Sequence, residues 1–403
     1  MWHKRQQPTF FTQQFDQLLA NDDKFRVLKE KIDFSFINEL ARPHYSDFGP
    51  TGYPPDKLFR CLLVMFLEDI PSERKLEERL MFDIRYRSFC DLDIYDPIPD
   101  HATFSVLRDR LSDELFYQIF EKIVSLAAEL GFVRGEHVSI DSTSVIADCV
   151  RPRKSKMKKP SDSDAAFGVK AGGKKVYFGY KAHHLVDSKS DFIVDAQATP
   201  ANVSDIDIGK YLFRKANSKG LKPNYLAADR AYSAEAFRHE LRAANTTPVI
   251  PFRKGGRKAG FDKEKFIFNK KGKLICPAGE ELKLTSKTSN SIQYKGSNCP
   301  KCRLKAQCTK GKYRTVYFSG LCSSNKELSF AATKKFSQLY LLRNSAERVF
   351  ANAKANHGLS RARYRGLAKV RFQVIMTAIA VNLKKMVNWL ALGPPKEAQT
   401  CST

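Results

Sequence analysis

The sequence predicts a mixed α/β fold: a mixed β-sheet covered by helices, preceded by a helical region and interrupted by a small, basic, β-rich insertion. Three observations carry this prediction. The apolar period changes from 3.6 residues to 2 near residue 131. Strand and helix patterns then follow in the order βββαβα(β) to about residue 251. A Gly- and Lys-rich segment from 252 to about 330 breaks that rhythm, and two strong helical patterns close the chain.

Taken in order, residues 10–132 read as mainly helical. After the breaker-rich stretch GPTGYPP at 49–55, Leu58, Leu62, Leu63 and Phe66 fall on one helical face. Ser72 caps a charged helix with Leu76 and Leu80 as its apolar stripe, and Thr103 can cap the next. A longer helix runs from about Asp113 to Leu130, stopped by Gly131. Residues 137–146, 176–186 and 192–199 alternate as strands, the last two joined by the hairpin signal DSKSD at 187–191. A capped helix to about Asn217, a buried strand at 225–228, a helix at 234–244 and a short strand at 247–251 complete the sheet region. The final helices are expected at about 335–356 and 367–392, joined by a connector containing Arg361, Arg363 and Arg365. The run RPRKSKMKK at 151–159 reads as a basic loop.

Hydrophobic residues make up 42% and charged residues 28%, an ordinary globular mixture that argues against a disordered chain. No apolar run reaches the roughly 20 residues that span a bilayer, and the first residues lack the apolar core of a secretion signal. A cytoplasmic location without membrane contact is therefore expected. The formal charge is +26, which points to a polyanionic partner rather than to a reaction. The excess is uneven. Residues 1–130 hold 17 basic and 23 acidic side chains, whereas 251–315 hold 18 basic and four acidic. A basic surface of that kind suits nucleic acid better than a membrane face.

Four of the nine cysteines form a series, Cys276, Cys299, Cys302 and Cys308, spaced C-x22-C-x2-C-x5-C. The odd total and the missing secretion signal disfavour a disulfide framework. Four thiolates around a Cys-x2-Cys knuckle suit a closed structural Zn²⁺ centre, with free thiols in a polar loop as the alternative. A lysine-rich insertion has little core of its own, and a metal would offset that deficiency.

Two carboxylates stand at the ends of strand patterns. Asp141 follows Val138-Ser139-Ile140, and Asp229 follows Tyr225-Leu226-Ala227-Ala228. Each could cap the turn that follows, but an acid delivered by an interior strand is costly to leave unpaired. Two on one sheet, joined by a third on a neighbouring helix, would make an oxygen-rich site for Mg²⁺. The helix at 335–356 supplies the candidate: Tyr340, Arg343, Glu347 and Lys354 are spaced Y-x2-R-x3-E-x6-K, which stacks them on one helical face. Such a face could equally be an exposed row of ion pairs.

Together, Asp141-Ser142-Thr143, the strand YFGYKAH at 177–183, Asp229-Arg230-Ala231-Tyr232 and the Y-R-E-K helix resemble a bacterial insertion-sequence DDE transposase of the groups with a YREK signature. The segment from Tyr53-Pro54-Pro55 through Ser72, Leu76 and Glu77 to Asp100-His101-Ala102-Thr103-Phe104 is similar to that family's N-terminal domain, so the likeness spans most of 45–385. It implies an RNase H-like catalytic core whose acids, carried over by position, are Asp141, Asp229 and Glu347. It also implies two Mg²⁺ or Mn²⁺ ions on those acids, double-stranded transposon-end and target DNA as partners, and a homodimer or larger assembly on DNA. Tyr340, Arg343, Lys354, Arg361, Arg363 and Arg365 are then expected against DNA. The expected division is a helical end-recognition or dimerisation domain at 1–132, the core at 133–251 and 331–392, the insertion at 252–330 and a tail at 393–403. Some relatives carry a tryptophan in the inserted strands to stack on a flipped base. This chain has only Trp2 and Trp389, which sets any base-flipping or hairpin step apart from the resemblance. A domesticated DNA-binding regulator and a nuclease without strand transfer are the alternatives on the same scaffold.

Overall fold

The computed structural model describes residues 14, 17–46, 48, 52–150, 160–169, 175–252, 260–269, 271–288, 291–319, 327 and 330–392. The expected basic run at 151–159, the tail at 393–403, Trp2, Cys322 and Cys401 lie outside the described residues. Helices at Lys24–Lys31, Phe36–Ala41, Pro55–Leu67, Glu73–Phe82, Ile84–Phe89 and His101–Glu129 lead the chain. Ser72 caps its helix as expected, accepting from the Lys75 N–H. The cap expected at Thr103 is Asp100 instead, whose carboxylate accepts from Thr103 N at 2.7 Å. The stretch His101–Glu129 is two helical segments joined at a kink, so the longer helix expected from about Asp113 begins where the second segment does. The kink falls at Ser112, which holds φ 61°.

The main sheet contains β1 (His137–Ile146), β2 (Ala166–Val169), β3 (Val176–Asp187), β4 (Ile193–Pro200), β5 (Tyr225–Ala228) and β6 (Thr247–Val249). Strand β3 runs antiparallel to β1, β2 and β4, while β1, β5 and β6 are parallel to one another. Parallel neighbours need crossovers, and the helices Asp205–Ser218 and Glu235–Ala243 supply them. Asp187 fixes the β3–β4 hairpin by accepting from Lys189 N and Ser190 N. The four-residue β2, paired with β3, is not expected from the sequence. It is too short to show a period.

Alternation along β1 decides which side chains meet. Val138 and Ile140 enter the cluster under the helix Asp205–Ser218, with Leu212, Leu226 and Phe237. Ser139 and Asp141 therefore point to the opposite face. That face is covered by two late helices, Lys334–Leu341 and Asn344–Asn356. The single helix expected at 335–356 is thus corrected to two. At Leu342 and Arg343 the bonds become i→i+3, with Ser345 N to Leu342 O and Ala346 N to Arg343 O both 3.1 Å.

The helix Leu367–Leu392 joins the halves of the chain. Its Phe372 packs on Phe66 and Phe116, and Trp389 packs on Phe132 and Phe192. One apolar cluster runs from Phe25 through these helices to Val387 and includes Val186 and Ala196 of the sheet. The change near residue 132 is therefore one of local structure, with the core continuous across it. The insertion folds as a meander, β7 (Ile267–Phe268), β8 (Leu274–Ile275), β9 (Glu281–Lys287), β10 (Ser291–Gly296) and β11 (Thr315–Ser319), over its own core of Phe266, Phe268, Leu274, Leu282, Val316 and Phe318. Among the described residues, no helix is long and apolar enough to cross a membrane.

Candidate active site

The parallel register pairs Ile140 with Ala228, so Asp141, midway along β1, lies beside Asp229 at the C-terminal end of β5. Two contacts hold the helix Asn344–Asn356 against this pair. Ser139 and Ser345 share a buried hydroxyl hydrogen bond of 2.6 Å. His184, paired with Asp141 across β1 and β3, stacks on Phe350 with ring centroids 4.3 Å apart. Glu347 consequently lies in the first turn of that helix, above the carboxylates. Arg343 links the two layers. It donates to Asp141 Oδ2 at 3.4 Å and to Glu347 Oε1, with its guanidinium 5.7 Å from the Tyr340 ring centroid.

The electrostatics follow from this crowding. Burial pushes the Asp141 carboxyl up to about 6, and the charges of Asp229 and Glu347 push the same way. The Ser142 N–H, which donates to Asp141 Oδ1 at 2.8 Å, and Arg343 oppose the rise. Asp229 also caps the short turn Arg230–Tyr232, accepting from Ala231 N at 2.8 Å. Asp229 thus caps a turn, whereas Asp141 sits within its strand. Burial lowers His183 to about 4 and His184 to about 3, so both rings are neutral packing groups.

The structure brings Asp141, Asp229, Glu347, Arg343 and Tyr340 together. Lys354 lies two turns beyond Glu347 on the same helix. Arg361 and Arg365 are exposed on the following connector and both bond to Asp148. Arg363 does not join them, and its expected DNA contact is corrected. Its side chain is 8% exposed, and it donates to Ile70 O at 2.7 Å and to Asp69, tying the connector to the N-terminal helices. The sequence does not single out Ser139, Ser345 and Phe350, nor the burial of Tyr232. A signal for Tyr232 exists: Gly209 lies inside a helix, where glycine needs a packing reason, and a Cβ there would come within 2.9 Å of the Tyr232 ring.

Three carboxylates are hard oxygen donors of the kind Mg²⁺ and Mn²⁺ prefer, and their mutual repulsion at Asp141 fits a cation. Among the described residues, however, no group of three or more His, Cys, Asp or Glu side chains is already gathered at metal-holding spacing. At the acid site, Arg343 stands between two of the donors. In the insertion, Cys276, Cys299, Cys302 and Cys308 line one cavity. Cys299 Sγ accepts from Arg314 N and Cys302 Sγ from Leu304 N, both at 3.4 Å. A Cβ at Gly296 would come within 2.5 Å of Cys299 Sγ. The backbone is shaped around the sulfurs, and the donor set suits zinc.

A family model described as "Transposase DDE domain" matches residues 134–383, and the chain belongs to that family of transposases. A second model, "Transposase domain (DUF772)", matches residues 13–110. Among solved structures, the chain is similar to a piggyBac transposase in a synaptic complex with hairpin DNA, at 11% identity and a TM-score of 0.37, over 94% of this chain and 75% of that one.

Proposed function

We propose that the protein is the transposase of an insertion sequence, with an RNase H-like core that binds terminal inverted repeats and cuts and joins DNA strands. The observation that carries this is the β1–β5 register, which sets Asp141 beside Asp229 while Ser345 and Phe350 seat Glu347 above them. Two divalent ions held by such a trio would activate the attacking oxygen and stabilise the leaving one in an in-line displacement at phosphorus. The chain's own part is to hold ionised carboxylates side by side on the sheet and to offer cations to the DNA backbone. Arg343, Lys354 and Arg230 are the candidates for that, with Tyr340 beneath the Arg343 guanidinium. The nucleophile is water and then a DNA 3′-hydroxyl, so no Ser, Cys or His nucleophile is needed.

The same proposal covers the domain roles: end recognition or dimerisation by 1–132, catalysis by 133–251 with 331–392, and DNA holding by the insertion at 252–330 around a structural zinc. Joining two ends requires a dimer or larger on DNA, working in the cytoplasm at the nucleoid. With no tryptophan in the insertion, base flipping is not part of the scheme. The test is cleavage of end DNA with Mg²⁺ by purified Asp141→Ala, Asp229→Ala and Glu347→Ala variants. Each should lose cleavage by a factor of about 10³ or more while binding the ends nearly as well as the parent. Undiminished cutting by any of the three removes that residue from the site. A parent chain that binds ends and never cuts them would instead be a regulator.

A further inference from the structure

Arg343 holds both walls of the acid site at once, through Asp141 Oδ2 and Glu347 Oε1. Asp141 and Arg343 are the sunken pair, with side chains 18% and 17% exposed, whereas Glu347 is 52% exposed. The guanidinium therefore fills the space between two carboxylates that a cation shared by them would need. Its Nε is buried and has no hydrogen-bond partner, so the ion pair leaves one donor unsatisfied. Arg343 also stands at the break between the helices Lys334–Leu341 and Asn344–Asn356, on a turn of i→i+3 bonds rather than inside a rigid helix. A planar guanidinium fits phosphate oxygens at least as well as these carboxylates, because it can donate two parallel bonds to them.

We propose that Arg343 is a built-in placeholder cation: in the DNA-free chain it occupies the position between Asp141 and Glu347, and a DNA phosphate draws it away and opens the site to divalent ions. This rests on the metal-dependent role proposed above for the three acids. Metal and DNA binding are then linked, each tightening the other by the same factor. The chain then loads metal less readily before DNA has arrived, which disfavours unproductive hydrolysis.

The experiment measures Mn²⁺ binding to the full-length protein by the electron-spin resonance of free Mn²⁺, with and without an uncleavable end duplex. Coupling energies of ordinary size correspond to about 5- to 150-fold in affinity. Wild-type protein should bind Mn²⁺ more tightly by a factor in that range when the duplex is present. Arg343→Gln should bind Mn²⁺ that tightly without DNA and gain little from adding it. Arg343→Met, which keeps the stem and removes the charge, should do the same and guards against a folding defect in the first variant. Arg343 variants that bind Mn²⁺ no better than wild type without DNA overturn the placeholder. An Asp141→Ala, Asp229→Ala double variant separates the two ideas. If it abolishes binding while Arg343 variants match wild type, only the placeholder fails. If neither wild type nor the Arg343 variants bind Mn²⁺ at all, the acid site and the placeholder fail together.

Discussion

Asp141 shows how a single residue can work against the stability of its own fold. Its carboxyl, pushed up to about 6 by burial and by its acidic neighbours, is protonated in the folded chain at pH values where an unfolded aspartate has ionised. The folded state then holds the extra proton, so stability is fullest below about pH 4 and falls as pH rises through 6. Asparagine has no charge to bury. Asp141→Asn should therefore melt higher than the parent at pH 7.5, by an amount equivalent to roughly 1–3 kcal/mol, and the gap should close towards pH 4. Melting curves across that range check it. Equal midpoints at pH 7.5, or a less stable variant, would contradict the charge-burial account. The two aspartates are legible in the sequence because alternation along a strand fixes which side chains share a face. Arg363 is misread from sequence for an equally physical reason: charge spacing on a connector does not show whether a guanidinium meets solvent or a carbonyl such as Ile70 O.

Among elements, the insertion depends most on something beyond its own residues. Among the described residues its core is six buried apolar side chains, a small amount of apolar area for a unit with such an excess of positive charge. The thiols of Cys276, Cys299, Cys302 and Cys308 face one cavity, with backbone N–H groups aimed at two of them. Protein purified without added metal should therefore carry one zinc per chain by elemental analysis. A Cys299→Ser, Cys302→Ser double variant should lose it, together with amide-exchange protection across 260–319, while the main sheet keeps its protection. Metal-free protein with a fully protected insertion would overturn the zinc assignment. Most strands and helices of the main sheet region can be read from periodicity, and the hairpin at 187–191 from its turn residues, whereas the insertion shows itself only as a break in that rhythm. β2 cannot be read, since four residues carry no period. The break at Leu342–Arg343 is equally hidden, because the spacing of Tyr340, Arg343 and Glu347 suits one continuous helix and gives no sign of the tighter turn between them.

Over the whole molecule, charge and core are organised on different plans. The apolar core is continuous from the first described helices to the last, yet residues 1–130 carry a net negative charge and the remainder carries the entire positive surplus. The connector between the last two helices lies where these plans cross. Arg361 and Arg365 sit on its exposed side, while Arg363 turns inward, with its guanidinium 4.8 Å from the Phe66 ring centroid. Three arginines at alternate positions should therefore behave as two kinds. Replacing Arg361 and Arg365 together by alanine should weaken binding to duplexes of any sequence and flatten the slope of log K against log salt by about 0.9 for each phosphate left without its cation. Thermal stability should change little, since exposed pairs such as Arg361 with Asp148 contribute at most about 1 kcal/mol. Arg363→Ala should do the reverse. It removes a buried donor from Ile70 O and Asp69, so it should cost about 1–3 kcal/mol of stability and leave the salt slope unchanged. Salt titrations of DNA binding, paired with melting curves on the same variants, distinguish the two. If Arg363→Ala flattened the slope as much as the double variant at unchanged stability, its inward place between Phe66 and Asp69 would be wrong.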